Sequence, residues 1–242
     1  MTDALLVLAG PLAAFALLSV LPRLRRSGKP AAALSIAGIG VSLLAAVALF
    51  ARIRTAGAPS ILEIVWAPMT TGPSITFGLL ADGISASMAV LVAFVALLVQ
   101  VYSLAYMSDE LPPAFGRYYT YHSLFAFAML GLVLAHNLLQ TYVFWELVGL
   151  GSYLLIGFWF ERPAAGRAGL TAFWTTRLGD VGFAIGIVIL WSSAGTFTFT
   201  ELFAKADSGV LTGTALTLGV AGIYLGAMGK SAQFPLHVWL PD

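Results

Sequence analysis

Four ionisable side chains sit inside stretches that are otherwise apolar: Glu146 in YVFWELVGLGSYLL, Arg177 and Asp180 in FWTTRLGDVGF, and Lys230 in GAMGKSAQFPLH. Residues of these types, a carboxylate and an ammonium on apolar helices, are suited to passing protons. They are costly to place there, since an Arg, Lys or Asp at the centre of a membrane helix costs roughly 2.5–3.5 kcal/mol. Intramembrane charge therefore reads as functional by default, with a structural hydrogen bond as the competing account for Glu146. On a helix, Tyr142, Glu146, Gly149 and Tyr153 fall on one face, and Gly149 beside the carboxylate would let another backbone come close. Arg177 and Asp180 are three apart and can pair with each other, which would by itself explain them structurally.

The histidines add less. His122, in RYYTYHSLFAF, shares a side with Tyr119 and Ser123. It could relay protons near neutral pH, although a hydrogen-bonded packing role is the preferred reading and it ranks as a secondary site candidate. His136, in LAHNLL, is expected to be solvated in a short outer turn. Three histidines so far apart form no recognisable metal motif, and no bound metal or cofactor is expected in this chain. Gly229-Lys230-Ser231 resembles the end of a P-loop, but the position five before Gly229 is Tyr224, and an apolar helix rather than a strand precedes it. No G-x-G-x-x-G is present either. The alternative is a helix that breaks at Lys230, with Pro235 removing a backbone donor just beyond. Broken helices line ion paths in membrane proteins. About twenty residues precede Lys230 in this segment, enough to cross a bilayer, so either the helix protrudes or the lysine snorkels at the cytoplasmic face.

The elements that must carry these residues follow from composition. Of 242 residues 60% are hydrophobic and 10% charged, with mean hydropathy +0.93. Soluble domains hold about 25% charged residues, so this is an integral membrane protein. A net charge of +1 gives no reason to expect nucleic acid as a partner. The absence of cysteine excludes disulfides and thiolate-held clusters. The first apolar run has its charges after it rather than before it, so it is read as a retained helix and not a secretory signal. Seven runs are long enough to span, at roughly 3–22, 31–51, 82–107, 117–135, 137–160, 168–194 and 211–230. None alternates at period two, which argues against a β-barrel. The expected fold is an all-α polytopic membrane protein with about seven transmembrane helices, the seventh broken.

Arg23, Arg25, Arg26 and Lys29 follow the first run and place that loop in the cytoplasm by the positive-inside rule, with the N-terminus outside. Counting onwards, Arg117, Arg162 and Arg167 also fall inside, against Arg52, Arg54 and Lys205 outside. Residues 59–82 differ from the rest. Their β-branched runs flank a turn-rich TTGPS, which reads as an extracytoplasmic hairpin, and Asp82 is expected to cap the next helix. Gly222 and Gly226, four apart, give a small-residue packing face. The organisation expected is two helices in 1–58, a hairpin in 59–81, and in 82–242 the third helix with an incomplete first repeat.

ADGISASM, FWELVGLGSYLLIGFW, TRLGDVGF and GKSAQFPLHVWLPD, in this order, resemble the antiporter-like subunits of respiratory complex I, in particular its L-type or chain 5 subunit. The resemblance runs from about residue 60 to the end; residues 1–58 match only in hydropathy. It implies a proton-translocating subunit of an NADH–quinone oxidoreductase that carries no redox centre itself. It also implies a charge pair of Glu146 with Lys230, a further acidic site at Asp180, and partners among other membrane subunits, including related antiporter-like ones. The location implied is the cell inner membrane, or the mitochondrial inner membrane if the protein is organellar. Members of that family have about fourteen core helices in two inverted repeats, so this chain resembles an N-terminal part of one. Sodium/proton antiporter subunits and membrane-bound hydrogenase subunits share the glutamate and lysine and remain alternatives. So does a scaffold whose polar residues only pack helices.

Overall fold

The computed structural model describes residues 2–68 and 75–242. In chain order the elements are α1 (Thr2–Val20), α2 (Pro22–Arg25), α3 (Lys29–Ala56), β1 (Ser60–Ala67), β2 (Ile75–Ala81), α4 (Gly83–Tyr106), α5 (Pro112–Val133), α6 (Leu138–Ile156), α7 (Pro163–Ala194), α8 (Phe199–Asp207) and α9 (Gly213–Lys230). Each of the seven apolar runs is a helix: α1, α3, α4, α5, α6, α7 and α9. Five of these, α1, α3, α4, α6 and α7, are long and apolar enough to cross a membrane. In α5 the run Arg117–His122 dilutes the apolar character, and α9 is rich in glycine and ends on a lysine. The expected hairpin is the two-stranded sheet β1–β2. The whole TTGPS stretch, residues 70–74, lies outside the described residues.

The chain divides into two compact units, Met1–Leu62 with Leu79–Leu134, and Glu63–Gly78 with Ala135–Asp242. The first is built on α1, α3, α4 and α5, around Val7, Ile39, Leu49, Leu79, Leu130 and Leu134. Asp82 caps α4 as expected: its carboxylate accepts from Ser85 N at 2.8 Å while Ser85 Oγ accepts from Asp82 N. Where these helices must bury polar side chains, they bury them together. Ser35 Oγ donates to Gln100 Oε1 at 2.9 Å, and Tyr119 Oη donates to the Gln100 carbonyl at 2.8 Å. His122 is 6% exposed, with Nδ1 3.3 Å from Gln100 Nε2. Its geometry is that of a packed, hydrogen-bonded histidine.

The second unit carries the charged residues. Its helices α6, α7 and α9 pack around Phe183, Ile187 and Leu190. The closest approach is between α7 and α9, and glycine makes it possible. A Cβ on Gly222 would stand 2.5 Å from the Gly182 carbonyl oxygen, and one on Gly186 would stand 2.5 Å from that of Gly219. The small-residue face expected at Gly222 and Gly226 is therefore real, and it meets a matching face at Gly179, Gly182 and Gly186. Descending α7 from Gly186 to Gly179 corresponds to ascending α9 from Gly219 to Gly226, so the two helices run antiparallel. This register brings the end of α9 to the middle of α7, with Gly229 facing Thr176. The short helix α8, not anticipated in the sequence, follows α7 in the chain and caps it: Lys205 Nζ donates to the Ala194 carbonyl at 2.5 Å.

Candidate functional site

α6, α7 and α9 bring four charges into a row of alternating sign. Glu146 lies mid-α6, Arg177 and Asp180 lie mid-α7, and Lys230 is the last residue of α9. Arg177 Nη1 donates to Glu146 Oε2. The same Nη1 stands 3.8 Å from Asp180 Oδ2, and Lys230 Nζ stands 3.6 Å from that oxygen on its other side. Glu146 and Lys230 thus do not meet directly; Arg177 and Asp180 stand between them. The Arg177–Asp180 pairing read from their spacing is one link of this chain. Asp180 is fully buried, at 0% exposure, and the Lys230 side chain is 14% exposed. The lysine points to the middle of α7, so it does not snorkel to a helix end.

Burial of this kind needs partners. An uncompensated charge in a helix core costs several kcal/mol, whereas two acids and two bases in a row are formally neutral. Trp145 supplies a further donor, its Nε1 lying 2.5 Å from Asp180 Oδ1. Rings also flank the cations: Arg177 sits 4.6 Å from the Phe173 centroid, and Lys230 Nζ 5.5 Å from that of Trp145. Even so, Glu146 Oε1, Asp180 Oδ2 and Lys230 Nζ are buried without a hydrogen bond. The chain is held by charge and not by a closed set of hydrogen bonds.

The two ends of the row differ in surroundings. Glu146 and Arg177 border an open, mostly apolar groove with Tyr142, Leu150 and Phe173. Lys230 lines a small cavity of about 40 Å³ with Gly149, Ser152, Tyr153, Thr176 and Trp239. That is room enough for water, with several polar neighbours to hold it. The face read as Tyr142, Glu146, Gly149 and Tyr153 is therefore shared between two environments. Gly149 does not admit a backbone. It makes space for the lysine: a Cβ there would lie 2.5 Å from Lys230 Nζ.

The break after Lys230 is present, but its local cause differs from the expected one. Gln233 N donates to the Met228 carbonyl at 3.0 Å and Ala232 N to that of Gly229 at 3.4 Å, with Ala232 at φ 50°. This is a Schellman-type stop with alanine in the left-handed position, where glycine is the usual residue. Trp239 Nε1 donates to the Gly229 carbonyl at 3.1 Å, so the exposed end of the helix is satisfied from within. Pro235 follows the stop and does not create it.

Two family descriptions match the chain. Residues 135–242 match the family described as NADH:quinone oxidoreductase/Mrp antiporter, TM. Residues 66–119 match NADH-Ubiquinone oxidoreductase (complex I), chain 5 N-terminus. Among curated relatives, NAD(P)H-quinone oxidoreductase chain 5 of Synechocystis is 49% identical over 169 residues, which is 68% of this chain and 24% of that protein. Subunit 5 of NAD(P)H-quinone oxidoreductase from the organellar chromatophore of Paulinella chromatophora is 42% identical over 236 residues, 96% of this chain and 35% of that protein. Residues 135–242 form a domain of the NADH:quinone oxidoreductase/Mrp antiporter family. The chain spans about a quarter to a third of the length of these curated relatives. The family fold is also seen in solved structures. The membrane-bound sulfane sulfur reductase, an archaeal respiratory membrane complex, superposes with TM-score 0.81 at 20% identity, over 100% of this chain and 47% of that one. The Mrp complex from Dietzia gives TM-score 0.79 at 25% identity, over 100% of this chain and 25% of that one.

His136 departs from expectation. It is 2% exposed, not solvated. Its Nε2 lies 3.0 Å from Thr76 Oγ1 and 3.5 Å from Glu63 Oε1, and its Nδ1 lies 3.1 Å from Gln140 Oε1. Gln140 in turn grips the strand backbone, accepting from Gly78 N at 2.9 Å and donating to the Gly78 carbonyl at 2.7 Å. Strand residues cover the turn that the sequence presents as open. His122 belongs to the first unit's buried network and is no part of the charge row. Among the described residues no group of three or more His, Cys, Asp or Glu is placed to hold a metal ion. Trp145, Gln140 and the α7 glycines were not anticipated as site-forming residues. The glycines had a signal, since Gly179, Gly182 and Gly186 repeat the spacing of Gly219, Gly222 and Gly226.

Proposed function

We propose that this chain is a proton-translocating membrane subunit of an NAD(P)H–quinone oxidoreductase of the complex I type. It carries no redox centre and couples quinone reduction elsewhere in the complex to proton movement. The observation that supports this reading is the buried row Glu146–Arg177–Asp180–Lys230, which ends at a helix break beside a water-sized cavity. A proton arriving on Glu146 neutralises it and releases Arg177. The freed guanidinium then competes for the Asp180 oxygen that Lys230 also uses. Displaced, the ammonium faces the cavity with no carboxylate beside it, and water there is the acceptor for its proton. The partners proposed are other membrane subunits, including related antiporter-like ones. The location is the cell inner membrane or its organellar equivalent. In this reading α5 and α9 also lie in the membrane, the N-terminus is outside, residues 22–30 are cytoplasmic, and the hairpin is extracytoplasmic.

The test is proton uptake by vesicles reconstituted with the complex that contains this chain, with assembly followed on native gels. Glu146→Gln and Lys230→Met are each expected to cut pumping strongly while assembly persists. Glu146→Asp, which keeps the charge, is expected to be milder. Normal pumping by both of the first two variants would favour a packing role for these residues. A second reading, a cation/proton antiporter subunit, is favoured by the likeness to the Mrp complex. Transport driven by a sodium gradient without quinone reduction would select it.

A further inference from the structure

Asp180 has two carboxylate oxygens, and the structure gives them different tasks. Oδ1 accepts from Trp145 Nε1 at 2.5 Å. Oδ2 makes no hydrogen bond, and two cations stand almost equally far from it, Lys230 at 3.6 Å and Arg177 at 3.8 Å. Trp145 is itself held by an edge-on contact with Phe183, 5.2 Å between centroids, and its ring lies 5.5 Å from the lysine nitrogen. One residue thus touches both the acid and the base at the far end of the row.

We propose that Trp145 is a positioning residue: by occupying one oxygen of Asp180 it leaves a single oxygen for Arg177 and Lys230 to contest. This rests on the proton-transfer reading above. The physical argument is a count of acceptors. A carboxylate without the indole can turn and offer one oxygen to each cation. Both ion pairs then close to hydrogen-bonding distance, and charge-assisted bonds of that kind are strong. The row becomes a set of fixed pairs and Lys230 no longer yields when Arg177 approaches. With the indole bond in place the two cations are near balance, and a change at Glu146 can tip it. The ring of Trp145 serves the same end, since its face keeps a favourable contact with the ammonium on departure from Asp180.

Trp145→Phe keeps a ring against Phe183 and Lys230 but removes the N–H. The proposal expects pumping per assembled complex to fall about tenfold, the loss of one bond to a charged group, while assembly is unchanged. A spectroscopic arm reads the bond itself. Ultraviolet resonance Raman of the complex reports indole N–H bonding, and wild type minus Trp145→Phe isolates Trp145 among the tryptophans. That difference band is expected at the strongly bonded position, and to weaken in Asp180→Asn. Wild-type pumping by Trp145→Phe, or a band insensitive to Asp180→Asn, overturns the proposal. So does failure of Trp145→Phe to assemble, which would make its role structural. If Glu146→Gln also pumps normally, the proton-transfer reading falls with it; if Glu146→Gln is inactive and Trp145→Phe is normal, only the role of Trp145 falls.

Discussion

Gly149→Ala separates position from stability at the end of the charge row. The added Cβ would lie 2.5 Å from Lys230 Nζ, where ordinary contact begins at 3.4 Å. The colliding atom is the tip of a flexible side chain, so the backbone need not move; the ammonium yields by about 1 Å. It now stands 3.6 Å from Asp180 Oδ2. At an effective dielectric of about 20, a 1 Å retreat weakens the attraction by about 1 kcal/mol and a 1 Å approach strengthens it by about 2 kcal/mol. That is about fivefold one way and about twentyfold the other in the balance between the two cations. Retreat loosens the pair and approach locks it, and transfer needs both states within reach, so pumping falls in either case. Alanine in place of a mid-helix glycine also favours the helix by roughly 0.5–1 kcal/mol. Assembly and thermal stability should therefore hold or improve while proton uptake in vesicles drops severalfold. Uptake within twofold of wild type, with assembly intact, would refute the claim that the lysine works from this position.

Gly222→Val meets backbone instead of a side-chain tip, with its Cβ 2.5 Å from the Gly182 carbonyl oxygen; it should cost upwards of about 3 kcal/mol and abolish assembly on native gels. Ala232→Gly removes a left-handed alanine at φ 50° and should stabilise by up to about 1 kcal/mol, read as a raised unfolding temperature. Gln140→Ala leaves Gly78 N–H and C=O without their side-chain partners and should cost about 1–3 kcal/mol, read as faster proteolysis of the hairpin. Ser27→Cys should react with an impermeant thiol reagent only from the cytoplasmic face; labelling from the outer face alone would overturn the proposed orientation.

Much of the helical framework was legible because membrane solvent demands long apolar runs, and each run became a helix. What was lost shows where that signal stops. α5 begins at Pro112, before its apolar run, because proline suits a first helical turn. α8 was missed because it is short. His136 looked solvated because a histidine in a turn usually is. Its burial depends on Thr76 and Gly78, some sixty residues earlier in the chain. The stop after Lys230 was legible, but its mechanism was hidden: the left-handed residue is Ala232, and only a glycine there would have announced it. The charged residues themselves stood out by type. Their order did not, since which acid meets which base depends on the rotation and register of three helices. The glycine contacts fix the register of two of the three, α7 and α9.

That register also bears on why two extra charges stand between Glu146 and Lys230. A lone carboxylate and ammonium on separate helices would be neutral only when in contact, so moving either would expose an unpaired charge to lipid. A row of four alternating charges behaves differently. Arg177 touches an acid on each side and Asp180 a base on each side, so a small shift of one side chain exchanges partners without leaving any charge isolated. The barrier to rearrangement is then the difference between two ion pairs and not the cost of an unpaired buried charge, which mutational data put at about 3–5 kcal/mol. Adding one proton at Glu146 makes the row odd, and the imbalance can be relieved only by losing a proton elsewhere along it. Lys230 is the member beside a polar cavity, while Asp180 is sealed and Arg177 holds its proton under all ordinary conditions. In the proposed proton transfer, Lys230 at the helix break is therefore the member that serves as outlet.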